Sequence, residues 1–178
     1  MAQDDPVLQA LRRYIRAELD GHEFYTAAAQ RTADVRGKKM FTSLAGEEIQ
    51  HAKKLAAEYE QVLRTGDWIS LQQLSSFADV FDVDQVSVFA EGQARIIPQL
   101  DPSVSDLEAL KLGMEMEKAS FEIYAEAASQ ASTLLVRDVF EFLMEEEQRH
   151  LGLLRSSYEY LAKTDSWFED LEKPIFEG

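Results

Sequence analysis

Shifted by 99 residues, the sequence matches itself without a gap. Glu18, Tyr25, Phe41, Leu44, Glu47-Glu48, His51, Leu55, Tyr59 and Trp68 fall on Glu117, Tyr124, Phe140, Leu143, Glu146-Glu147, His150, Leu154, Tyr158 and Trp167. Over residues 11–68 there are 16 identities in 58 positions. Helical composition accounts for some of them, but not for Glu, Tyr, Glu and His recurring in one register. A chain built this way folds as two copies of one unit, and what one copy turns inward the other turns inward as well.

Each copy reads as two helices. Leu8, Leu11, Ile15, Glu18, His22, Tyr25 and Ala29 follow alternating steps of three and four, one inward stripe of a bundle helix. Phe41, Leu44, Glu48, His51, Leu55 and Tyr59 form the stripe of the next helix. The second copy repeats this with Leu107, Leu110, Met114, Glu117, Phe121, Tyr124 and Ala128, then Phe140, Leu143, Glu147, His150, Leu154 and Tyr158. Asp5-Pro6 supplies an N-cap and a first-turn proline. Ser105 and Glu108 make a capping box. The spacing predicts helices over 6–33, 36–64, 105–131 and 133–164, in an all-α four-helix bundle of two repeated hairpins. The single domain spans 1–178, with a crossover at 69–104 and a tail at 165–178. The crossover is too apolar ("VSVFAEGQARIIP") for a disordered linker and is expected to carry a short helix or two. It also leaves open a closure in which hairpins pair between chains, giving a domain-swapped dimer.

The stripes carry charge where a bundle needs apolar contacts. Glu18, Glu48, His51, Glu117, Glu147 and His150 all face inward, and a buried carboxylate must be paired or bind metal. Residues three apart share a helix face, so each Glu-x-x-His aims a carboxylate and an imidazole at one point. Two such helices, plus one Glu from each of the others, assemble four carboxylates and two imidazoles. Two divalent cations would balance the four negative charges. This is the donor set of the ferritin-like di-metal carboxylate proteins. Iron, manganese and zinc all accept it. Tyr25 and Tyr124 lie two turns from Glu18 and Glu117 on the inward face and are candidate hydrogen-bond donors to a ligand carboxylate. His22 is expected in the core or an interface. Glu47, Glu146, Glu23 and Glu122 are expected at solvent or interface positions, and Trp68 and Trp167 in packing roles.

Composition narrows the partners. The net charge of −15 argues against nucleic acid or an anionic membrane and suits hard cations. With no cysteine, thiolate zinc and iron–sulfur sites on this chain are excluded. Neither a signal peptide nor a membrane span is legible, so the expectation is a cytoplasmic protein.

The segments "AELDGHEFYTAAAQ…KKMFTSLAGEEIQHAKKL" and "EMEKASFEIYAEAAS…VFEFLMEEEQRHLGLL" resemble the two hairpins of the rubrerythrin group of the ferritin-like superfamily. The Glu18–Tyr25 and Glu117–Tyr124 spacing is part of that resemblance, which covers most of residues 8–178. It implies a di-iron protein that reduces hydrogen peroxide, reacts with oxygen or oxidises ferrous iron. Glu48 and Glu147 would bridge the metals, Glu18 and Glu117 would be terminal, and His51 and His150 would each hold one. The chain departs from the group twice. It has no cysteines for a rubredoxin iron site, so an external electron-donor protein is expected. Met114, the repeat mate of Ile15, stands where rubrerythrins commonly carry an additional Glu. A ferroxidase, a metal-dependent oxygenase and a metal-stabilised structural bundle are the alternatives, and a homodimer is the expected assembly.

Overall fold

The computed structural model describes residues 5–96, 99–101, 103–164 and 166–167. The remainder of the expected tail lies outside the described residues. Among those described there are six helices and no strand. These are α1 (Pro6–Arg31), α2 (Val35–Thr65), α3 (Leu71–Ala78), α4 (Val83–Ala90), α5 (Asp106–Ser129) and α6 (Leu134–Thr164). The four long helices start and stop within two residues of the expected positions. α1 ends early because Thr32 turns extended, returning its N–H and its hydroxyl to the Ala28 carbonyl. Asp34 then caps α2 by accepting from the Arg36 N–H at 2.8 Å. Both halves of the capping box at Ser105 and Glu108 are present.

Two apolar clusters fill the bundle, one at each end. One combines Leu8, Leu11 and Ile15 of α1 with Leu55 and Tyr59 of α2, Tyr124 of α5 and Phe140 and Leu143 of α6. The other combines Phe24, Tyr25 and Ala28 with Phe41, Leu44, Leu110, Leu154 and Leu161. The start of α1 therefore meets the end of α5, and the end of α2 meets the start of α6. Each hairpin lies against the other in one chain, and the repeat becomes an approximate two-fold. The tryptophans obey it. Trp68, ending the first hairpin, packs edge-on at 5.6 Å against Phe140 of the second, while Trp167 packs at 5.8 Å against Phe41 of the first. Gly37 makes room for the indole of Trp167, since a Cβ there would lie 2.5 Å from it.

The crossover is helical, as expected, with α3 and α4 laid over the first cluster through Leu74, Val86 and Ala90. Two buried acids fasten it. Asp20 of α1 accepts from the Ile96 N–H at 2.7 Å and pairs with Arg16, with Arg95 3.5 Å away. Glu58 of α2 accepts from the Ile69 N–H at 3.3 Å, and its other carboxylate oxygen is buried without a hydrogen-bond partner. Burial pushes Glu58 up from 4.5 to about 7, against the smaller effect of the Ile69 N–H. The folded state thus holds this proton more tightly than the unfolded chain, and stability falls as pH rises from about 4.5 to 7. Glu58→Gln should remove that slope. Relative to wild type the variant should gain about 2 kcal/mol between pH 5 and pH 8 in urea unfolding. A difference that stays flat across this range would refute the assignment.

Candidate metal centre

Between the two apolar clusters lies one polar layer. α1 contributes Glu18, α2 Glu48 and His51, α5 Glu117, and α6 Glu147 and His150, all buried. The helical repeat brings all six together, as their positions on the stripes predict. Gly21 is part of the reason that Glu48 fits, because a Cβ at that position would stand 3.3 Å from its carboxylate. Gly113 likewise leaves 3.1 Å for the hydroxyl of Tyr25.

The donors fall into two overlapping groups that can each hold a metal ion. One atom each from Glu18, Glu48, His51 and Glu147 lies within 4.8 Å of the others, and so does one each from Glu48, Glu117, Glu147 and His150. Glu48 and Glu147 belong to both. His51 Nδ1 faces Glu18 at 3.3 Å and Glu147 at 3.7 Å. His150 Nδ1 faces Glu48 at 3.1 Å and Glu117 at 3.5 Å. The rings lie nearly parallel, 5.6 Å apart. Tyr25 donates to Glu117 and Tyr124 donates to Glu18, so each tyrosine reaches the carboxylate of the opposite hairpin.

Electrostatics make the layer costly on its own. Burial, then repulsion from Glu117 and Glu18, holds Glu48 well above the usual carboxylate range. Burial and the contact with Glu117 do the same to Glu147. Burial also pushes Glu18 up, but His51, Glu48 and Tyr124 outweigh it and the net direction is down. Tyr25 and Tyr124 are raised far above 10 by burial and by the carboxylates they serve, so both remain hydrogen-bond donors at neutral pH. Burial works against charge on the imidazoles, yet the surrounding carboxylates lift His51 to about 9 and His150 to about 12.

Glu47 and Glu146, expected at solvent or interface positions, lie at the seam between the two hairpins. They are 30% and 25% exposed, and each faces the outer nitrogen of an imidazole from the opposite hairpin. His150 Nε2 lies 3.2 Å from Glu47, and His51 Nε2 lies 3.7 Å from Glu146. Arg149 contacts both carboxylates. The doubled Glu-Glu in both copies of the repeat was the available signal. A one-residue offset places Glu47 and Glu146 about 100° off the stripe, but a long side chain at the seam of two antiparallel helices spans that offset. His22 lies outside the layer, tied through Nδ1 to the Ala45 carbonyl at 2.7 Å. Met114 packs with the Phe24 cluster.

The donors fit a metal pair. Glu18 Oε2, Glu48 Oε1, Glu147 Oε1 and both imidazole Nδ1 atoms are buried without a hydrogen-bond partner, and these are the atoms that face one another. An unsatisfied buried acceptor is expensive, and four carboxylates beside two nitrogens answer the preference of divalent iron, manganese or zinc. Two repeated hairpins closed around such a layer define the ferritin-like class. The family model described as rubrerythrin matches residues 9–158, and the chain belongs to the rubrerythrin family. Among solved structures the fold is similar to that of a hypothetical protein, Pfu-1136390-001, from Pyrococcus furiosus. The TM-score is 0.66 with 21% identity over 90% of this chain and 92% of that one. No curated protein matches by sequence. No helix among the described residues is long and apolar enough to cross a membrane.

Proposed function

We propose that this chain is a di-iron redox protein that reduces hydrogen peroxide, or reacts with oxygen, using electrons from a separate donor protein. The observation that carries the reading is the sharing of Glu48 and Glu147 between two donor groups. Such sharing would let the two groups hold a pair of ions together rather than in separate sites. Glu48 and Glu147 would hold both ions, Glu18 and His51 one, and Glu117 and His150 the other. When bound, the ferrous pair supplies two electrons together, which with two protons converts peroxide into two waters. The chain supplies the setting. The apolar clusters above and below exclude bulk water. Tyr25 and Tyr124 fix Glu117 and Glu18 by donation and keep their protons while doing so. Manganese or zinc fits the same donors, but zinc would give no redox chemistry.

This sequence carries no cysteine, and in the proposed reaction the electrons would arrive across a protein–protein contact. A surface this acidic favours a donor with a basic patch, in an encounter that salt weakens. A homodimer in the cytoplasm is the setting we infer. A ferroxidase is the second reading, favoured by the hydrophobic setting of Met114 where an additional carboxylate would otherwise stand. The test is anaerobic ferrous loading followed by stopped-flow mixing with each oxidant. Peroxide should outpace oxygen, and turnover should require an external donor of rubredoxin type and fall as ionic strength rises. Oxygen outpacing peroxide, with release of a ferric mineral, would move the assignment to the ferroxidase.

A further inference from the structure

Arg149 has no counterpart in the repeat, where its mate is Gln50. Its guanidinium nevertheless touches both members of a repeated pair, bonding Glu47 through Nη2 and Glu146 at 2.8 Å. Those carboxylates in turn face His150 Nε2 and His51 Nε2. A side chain that serves both mates at once sits near the approximate two-fold, where one cation suffices for two halves. We infer that Arg149 is a positioning residue for both metal ions. It clamps Glu47 and Glu146 against the outer imidazole nitrogens, which keeps the ring protons at Nε2 and turns the Nδ1 lone pairs inward. The inference rests on the proposed metal reading.

The physical argument is one of competition. Glu47 and Glu146 bring carboxylate atoms within 4.8 Å of each other and of His150. Without a cation between them two such charges repel, and both have water within reach. One or both then swing outward, and the imidazole left behind loses the acceptor that fixed its tautomer and its plane. Partners of this kind on a ligating histidine typically change metal affinity by about 10- to 100-fold. Arg149 is 49% exposed, and an ordinary surface ion pair at that exposure would have almost no effect. The two readings therefore separate cleanly. Both carboxylates are reached from one nitrogen, Nη2, while Nε adds a longer contact to Glu146 at 3.5 Å that an ammonium group would lack.

The test is zinc titration of wild type, Arg149→Gln, Arg149→Lys, Glu47→Gln and Glu146→Gln, with nitrogen-15 NMR of the histidines in the zinc-loaded proteins. Arg155→Gln serves as control, because Arg155 lies on the same helix and, among the described residues, pairs with exposed Glu159. Arg149→Gln should weaken both ions by about 10-fold or more and broaden or shift both Nε2–H tautomer signals. Arg149→Lys should recover part of the loss. Glu47→Gln should affect the ion at His150, and Glu146→Gln the ion at His51. The control should match wild type. Two zinc ions bound by Arg149→Gln within twofold of wild-type affinity, with unchanged tautomers, would overturn the role of Arg149 while leaving the metal centre standing. A wild type that takes up no paired zinc would overturn the proposed centre and this inference together.

Discussion

Alanine at Glu48 or at Glu147 should empty both metal positions, not one. Each carboxylate belongs to both donor groups, so its removal strips a ligand from two ions at once. Metal content measured after loading and desalting should fall from two ions per chain to nearly none. Removal of Glu18 or Glu117, each in a single group, should leave one ion partly retained. The same residues should show the opposite sign in stability. In the metal-free protein Glu48 is raised by burial and by its acidic neighbours, so its ionisation opposes folding. Glu48→Gln keeps the volume that Gly21 accommodates and removes that penalty. Metal-free Glu48→Gln should unfold above metal-free wild type at pH 8, by a few degrees for each ~1 kcal/mol relieved. The advantage should shrink as pH falls, because a carboxyl with a raised pKa is protonated first in the folded protein. Equal metal content in Glu48→Ala and wild type would show that the sharing is not functional.

Metal loading should produce the larger thermal change. An ion at about 1,000 times its dissociation constant stabilises the native state by about 4 kcal/mol per site. Two sites in a domain of this size correspond to a rise in Tm of roughly 15–25 °C. Loading should also release protons near neutral pH. His51 at about 9 and His150 at about 12 carry a proton in the metal-free state, and Glu48 and Glu147 are raised by burial. Metal ligation requires the deprotonated forms, so affinity should rise with pH and fall in acid. Calorimetric titration in buffers of different ionisation enthalpy measures the protons directly. A Tm that ignores metal, together with no buffer dependence, would contradict the pairing of these groups with cations.

How far the sequence could be read depended on what each residue's position encodes. The four long helices and the six inward Glu and His residues follow from a stripe that the repeat prints twice, and stripes are local. The cross-hairpin contacts are not local. Nothing in the spacing of Glu47 or Glu146 says that it meets an imidazole from the other helix, because that depends on how α2 and α6 lie together. Arg149 was less legible still, since it breaks the repeat. Asp20 and Glu58 were hidden for a related reason. Each anchors a backbone N–H of the crossover, and the crossover has no copy to compare with. His22 shows the limit of the stripe itself. Four residues beyond Glu18 is about 40° of drift on an α-helix, enough to carry the ring from the layer to the seam between α1 and α2.

The most direct test of the central claim is a crystal structure of the manganese- or iron-loaded protein with anomalous scattering data. The account predicts two anomalous peaks about 3.5–4 Å apart, between Glu48 and Glu147, with His51 Nδ1 on one ion and His150 Nδ1 on the other. A single peak, or two peaks that do not share Glu48 and Glu147, would contradict it.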